Sequence, residues 1–175
     1  MKKALALLTA LMLLAVAPLA LAESVRLTEN ATGFDVTINL PDKAAVNVQT
    51  EGDIPYTFIN FTDKTLPEIY ISVAPTEEYD EQSLADLSKD DLDHLFAITS
   101  GDLDKPSYSM QKTPGGYDYM LIEDDSVTDS AILVILYDGY FIQMSVWNSN
   151  YSELDATDMT TATDIFDSLS IIPAN

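Results

Sequence analysis

His94 is the chain's one histidine, and Asp90 and Asp91 stand four and three residues before it. On a helix that spacing brings a carboxylate beside the imidazole, the arrangement of a general base oriented by an acid. A surface imidazole with helical charge partners has the same spacing. A nucleophile would decide between them, and none has a recognisable setting. The chain holds no G-x-S-x-G elbow, phosphate loop, dinucleotide glycine motif or H-E-x-x-H. His94 is therefore read as a surface residue, and no catalytic residue is assigned.

Carboxylates fall in groups: Glu77, Glu78, Asp80 and Glu81; Asp90, Asp91 and Asp93; Asp102 and Asp104; Glu123, Asp124, Asp125 and Asp129. Two facing acids would make a glycosidase pair. A chain with 29 acidic residues yields such pairs by chance. Calcium is a better use of hard oxygens clustered in a loop. "EDDSVTDS", residues 123–130, has the donors to wrap one ion, and "GDLDK" has two acids at alternate positions. The latter lacks the third ligand, central glycine and closing glutamate of an EF-hand. A solvated acidic surface is the simpler reading of both. No metal ligand and no cofactor is assigned, calcium being the one ion these loops would suit. Tyr117 and Tyr119 share a strand face after Gly115-Gly116, and Tyr151 follows Trp147 into a loop. Exposed, such rings stack on sugars or anchor a protein. Aromatic residues favour strands in any case, so core or rim packing is expected.

The balance of charge narrows the partners. Lys and Arg total 8 against 29 acids, a formal charge of −21. Phosphates would be repelled, which argues against nucleic acid and anionic lipid. Hydrophobic residues make up 47 %, too many for a disordered acidic tail. The absence of cysteine removes disulfides, thiol catalysis and Cys-ligated metal sites.

Residues 1–22 read as a cleavable, bacterial-style export signal. Lys2 and Lys3 precede an apolar run from Leu5 to Ala17; Pro18 breaks it, and Ala20-Leu21-Ala22 is a small-x-small site for a cut after Ala22. An uncleaved anchor is the rival reading, since Ala4 to Ala22 nearly spans a bilayer. Cleavage leaves residues 23–175 as one α+β domain, two units more negative because the leader holds Lys2 and Lys3 and no acid.

The elements that must position these residues follow from periodicity. Ser24 to Glu29, Gly33 to Leu40, Ala45 to Gln49, Tyr56 to Phe61 and Glu68 to Ala74 read as strands. Leu84 and Leu87 mark a first helix. Ser88 caps a second, carrying Leu92, Leu95, Phe96 and Thr99 to a stop at Gly101. Ser107 to Lys112 and Tyr117 to Glu123 flank the turn signal "TPGG". "AILVILYDGYFIQMSVW", residues 131–147, is the most apolar stretch outside the leader. Asp138-Gly139 closes it as a hairpin, pairing Tyr137 with Tyr140, Ile135 with Ile142, Leu133 with Met144 and Ala131 with Val146. One face of that hairpin is apolar and the other mixed, as a face only partly covered would be. A membrane helix there would bury Asp138, Gln143 and Asn148 or fall short of a bilayer. A last helix starts at Asp155, with Met159, Ala162, Ile165, Phe166 and Leu169 inward and Asp158, Asp164 and Asp167 outward. Ile171 and Ile172 suit a short final strand.

Strands, helices, strands, helix predicts an antiparallel sheet with helices packed on its less polar face, an α+β fold. "GFDVTINLP", the central helical pair, "LYDGYFIQMSV" and "ATDIFDSLSI" resemble the PsbP-like superfamily, which includes a Ran-binding nuclear import factor. The resemblance implies an α/β/α sandwich and a binding or accessory role rather than an enzyme. None of that superfamily's ion-handling residues has a counterpart here, so no site residue is carried over. The acidic balance and export signal do not fit Ran binding. The functional expectation is an exported, secreted or envelope-associated non-catalytic domain that binds a protein, without stable membrane insertion after cleavage. The alternatives are a calcium-dependent or carbohydrate-binding module at the cell wall and a two-carboxylate hydrolase.

Overall fold

Alternating apolar and polar residues set most of the architecture, because each strand presents one set of side chains to a core. The computed structural model describes residues 21–27, 33–42, 44–51, 54–61, 66–79, 83–101, 103–124, 129–148 and 152–173. Its elements run β1 (Leu21–Arg26), β2 (Phe34–Pro41), β3 (Ala44–Glu51), β4 (Ile54–Phe61), β5 (Glu68–Pro75), a 3-10 turn (Leu84–Asp86), α1 (Lys89–Thr99), β6 (Pro106–Lys112), β7 (Asp118–Asp124), β8 (Ser130–Tyr137), β9 (Tyr140–Trp147), α2 (Ala156–Asp167) and β10 (Ser170–Pro173). The fold is mixed α+β and dominated by sheet, and every strand pairing is antiparallel. Among the described residues no helix is long and apolar enough to cross a membrane.

Among the described residues ten strands form two sheets. Seven run in the order β3-β4-β5-β9-β8-β7-β6, and β1-β2-β10 make a separate three-stranded sheet. The 131–147 hairpin has the expected register, with Tyr137 opposite Tyr140, Ile135 opposite Ile142 and Ala131 opposite Val146. Its two-residue turn has Asp138 at φ 48° and Gly139 at φ 75°. Two consecutive positive φ values define the primed turn whose twist matches that of the strands. A Cβ on Gly139 would meet only the Tyr79 carbonyl oxygen at 3.8 Å, so space is not the constraint. Gly139→Ala is expected to cost about 1–2 kcal/mol through left-handed backbone alone. Thermal melting checks this, and an unchanged midpoint would mean that the turn relaxes.

The seven-stranded sheet is packed on both faces, the second only in part. The first face carries Ile69, Ile71, Leu133, Ile135, Ile142 and Met144, all 0 or 1 % exposed. Against it lie Val36 and Ile38 of β2, and Ala162, Ile165 and Phe166 of α2. The second face carries Met120, Ile122 and Leu136, packed by Tyr79, Leu84, Leu87 and Leu95. Helices on the less polar face alone are thus not what forms: α2 takes that face and α1 the opposite one. The reason is that Ile132, Val134 and Leu136 make the second face of β8 apolar enough to need its own cover.

Local chemistry sets the helix ends. Ser88 Oγ accepts from the Asp91 N–H at 3.2 Å and begins α1. Asp155 Oδ1 accepts from the N–H groups of Thr157 and Asp158, and Asp158 Oδ2 accepts in return from the Asp155 N–H at 2.9 Å. This reciprocal cap satisfies donors that helix termini otherwise orphan, worth about 1 kcal/mol. It also draws Asp158 inward to 2 % exposure, so Asp158 is not on the outward face expected of it. The first helix expected around Leu84 and Leu87 is a single 3-10 turn, cut short because Ser88 caps the next helix. β1 begins at Leu21 rather than Ser24 and ends at Arg26; Leu27 continues the pairing through its N–H to the Val36 carbonyl. Of the expected leader, residues 1–20 lie outside the described residues.

Candidate functional site

The helix-borne chemistry around His94 does not assemble. His94 is exposed, and its Nε2 lies 3.8 Å from Glu78 Oε2, in the loop after β5. Asp91 is occupied by Ser88, whose hydroxyl donates to its carboxylate at 2.6 Å. Asp93 accepts from Lys89 and from the Tyr108 hydroxyl. Those two donors hold its carboxyl below the usual range, Lys89 contributing most. Burial and the bond to Asp93 push the Tyr108 hydroxyl up. The outcome is a surface network that ties α1 to β6.

The acidic loops divide. Asp80, Glu81, Asp102 and Asp125 lie outside the described residues. Asp124 turns inward to 6 % exposure, and its Oδ2 accepts from the backbone N–H groups of Asp104 at 2.9 Å and Lys105 at 3.5 Å. That carboxylate fastens the chain before β6 to the end of β7. Among the described residues no cluster of three or more acids or histidines has a metal-holding arrangement.

The tyrosines are packed. Tyr119 is 3 % exposed, lies against Phe166 and donates to Gln111 Oε1 at 2.7 Å. The Tyr117 hydroxyl accepts from the Ile171 N–H at 3.2 Å and donates to the Ile171 carbonyl at 3.3 Å, pinning β10 to the large sheet. Phe34, Tyr117, Tyr137 and Tyr140 meet edge to face, so these rings bury their faces in one another. Tyr151 lies outside the described residues.

A different surface gathers aromatic and polar groups. On the second face, α1 covers β6, β7 and β8 and leaves the half built by β4, β5 and β9. Register brings Phe58, Tyr70 and Ser145 into one row, Ser72 beside Gln143, and Glu68 beside Trp147. Strand parity points all seven to the side opposite Ile59, Ile71 and Met144. Each is half-buried, and none belongs to either hydrophobic core. Phe58 and Tyr70 meet edge to face at 5.2 Å, and Trp147 Nε1 donates to Glu68 Oε2 at 3.1 Å. Three rings are thus held on a rigid sheet beside hydroxyl, amide and carboxylate groups, suited to apolar contact with hydrogen bonding at its edge.

Sequence periodicity shows which residues of a strand share a face, and the mixed face of β9 was legible in it. It does not show that β5 rather than β7 lies beside β9, so Tyr70 and Phe58 could not be joined to Trp147. Arg26, Lys89 and Lys112 each pair with an aspartate, three of the four cations among the described residues. Among the described residues, pairing thus spends most of the positive charge. The chain matches no known family model and no curated protein.

Proposed function

We propose that the chain is an exported, non-catalytic module whose 23–175 segment binds a protein through the β4-β5-β9 half of its second sheet face. The observation that carries this reading is the trio Phe58, Tyr70 and Trp147, set with Glu68, Ser72, Gln143 and Ser145 outside both cores. Aromatic side chains with a polar handle supply most of the energy in binding surfaces, because they bury large area at small entropic cost. The unpaired acidic excess favours a basic rim on the partner and sets a salt-dependent association rate. One helix on each side of an antiparallel sheet supports the PsbP-like α/β/α sandwich as its architecture. An accessory role agrees with that resemblance.

The test uses the 23–175 segment and its Tyr70→Ala and Trp147→Ala variants as bait for envelope and culture-fluid proteins. A specific partner is expected to be retained by the parent and weakened about 30-fold or more by either variant, a hot-spot loss of 2 kcal/mol or greater. Equal retention by all three, with unchanged circular dichroism, removes the face from the reading. The same ring-and-amide surface supports a second reading, a glycan. Binding to cell-wall polysaccharide that the two variants lose, with no protein retained, would replace the first reading by the second.

A further inference from the structure

Strand β6 closes one end of the seven-stranded sheet, with β7 its one strand neighbour among the described residues. The hairpin turn fixes which of its backbone groups β7 uses. Thr113 donates its N–H to the Tyr117 carbonyl at 2.9 Å. Antiparallel ladders alternate from there, and the register runs unbroken from Lys112 opposite Asp118 to Pro106 opposite Asp124. Ser107, Ser109 and Gln111 therefore bond β7. Tyr108, Met110 and Lys112 turn N–H and C=O to the open edge, and Pro106 turns only its C=O. Among the described residues no hydrogen bond reaches these outward groups. An open row of this kind templates another strand unless something blunts it. Residues 107–111 hold no charge, no proline and no bulge, and all but Tyr108 are exposed. Met110 leaves an apolar side chain 41 % exposed there.

The charge pattern says which strand the row will take. A chain of net charge −21 repels its own copies over most of its surface. Between Asp104 and Asp118 it has no acid and two lysines, Lys105 and Lys112. After residue 22 no other interval between successive acids holds two cations. The acids nearest β6 are engaged: Asp118 with Lys112 at 3.0 Å, Asp93 with Lys89, and Asp124 with the Asp104 and Lys105 N–H groups. Glu123, opposite Ser107, lies one strand further in. At the other end of the sheet, β3 follows Asp42 and ends on Glu51.

We propose that β6 pairs antiparallel with β6 of a second copy, about a two-fold axis at Ser109, joining two seven-stranded sheets into one. That register sets Tyr108 opposite Met110 of the second copy and Lys112 opposite its Pro106. All three outward N–H groups of each copy then find carbonyls, and the residue with no N–H falls at the end of the pair. The same register lays the Tyr108 ring beside the Met110 thioether, a favourable sulfur–aromatic contact, and Ser109 beside its own counterpart. The contact is isologous, so it closes at two copies.

Sedimentation of the purified chain across a range of concentration tests this. A monomer–dimer equilibrium is expected, tightening as salt screens the acidic repulsion. Met110→Pro removes an N–H that β7 does not use, so the monomer is expected to keep its circular dichroism. It is expected to weaken the dimer about tenfold or more, because a carbonyl across the pair goes unmet. Ser109→Glu and Ser109→Lys are each expected to sediment as monomers, and their mixture to recover the dimer, since like charges face one another across the axis in the first two cases and unlike charges in the third. Should Met110→Pro lose its circular dichroism, the Ser109 pair decides alone. A parent chain that stays monomeric at every concentration and salt overturns the proposal and leaves the edge to a strand from another protein. So does a Met110→Pro dimer of undiminished affinity, or a Glu–Lys mixture that stays monomeric.

Discussion

Phe166→Ala is expected to remove about 3–5 kcal/mol of folding stability. Phe166 is 0 % exposed and lies at the centre of α2's inward stripe. Its ring meets Tyr119 at 5.3 Å and 69°, an edge-to-face contact that adds to the area it buries. Truncation leaves a hole between a helix and a seven-stranded sheet, and neither surface can collapse freely into it. Against a total of about 5–15 kcal/mol, that loss is a large fraction. For a chain of this size it lowers the melting temperature by roughly 10 °C. Urea unfolding should show a lower midpoint with an unchanged slope, since the area exposed on unfolding is nearly the same. Ile172→Ala is the contrast. Ile172 is 54 % exposed at the chain's last strand, and its truncation should shift stability by about 0.5 kcal/mol or less. A Phe166→Ala loss as small as that would mean that α2 does not seal the first face.

That stripe was legible in the sequence because Ala162, Ile165, Phe166 and Leu169 recur at the helical period. The same period placed Asp158 outside, and there it failed, because the helix cap draws that carboxylate inward. Periodicity gives the direction of a helix's buried side and not the width of what covers it. The β8-β9 register was read residue by residue, because a two-residue turn at Asp138-Gly139 admits one pairing and a period of two sets both faces. The departure of β2 into its own sheet was not readable. "GFDVTINLP" alternates as a main-sheet strand would, and only the positions of β1 and β10 decide which sheet holds it. Tyr117 and Tyr119 are expected in the core or rim and lie there, Tyr151 being outside the described residues. The Phe58, Tyr70 and Trp147 face needed the order of strands β4-β5-β9, a non-local fact that no local pattern carries.

The two cores make Leu95→Ala informative in a different way. Leu95 is the one fully buried side chain of α1, with Leu92 and Phe96 only half-buried around it. Truncation costs about 2–5 kcal/mol, the range for a buried leucine. What opens depends on how the cores are joined. Both rest on β7, β8 and β9, and among the described residues α1 adds only a few polar and ring contacts to that packing, His94 beside Glu78 being one. The Tyr79 hydroxyl reaches the Asp91 carbonyl at 3.4 Å, Tyr108 donates to Asp93, and the Phe96 and Tyr108 rings meet at 4.9 Å. The Lys89–Asp93 pair is exposed and screened by solvent, so it adds little. Local opening of α1 should therefore lie well below global unfolding in free energy. In Leu95→Ala, amides of residues 89–99 are expected to lose hydrogen-exchange protection far more than those of β8 and β9. α2 on the opposite face should keep its protection. A uniform loss across α1, α2 and the hairpin would instead make the two faces one cooperative unit, with the central strands transmitting every defect between them.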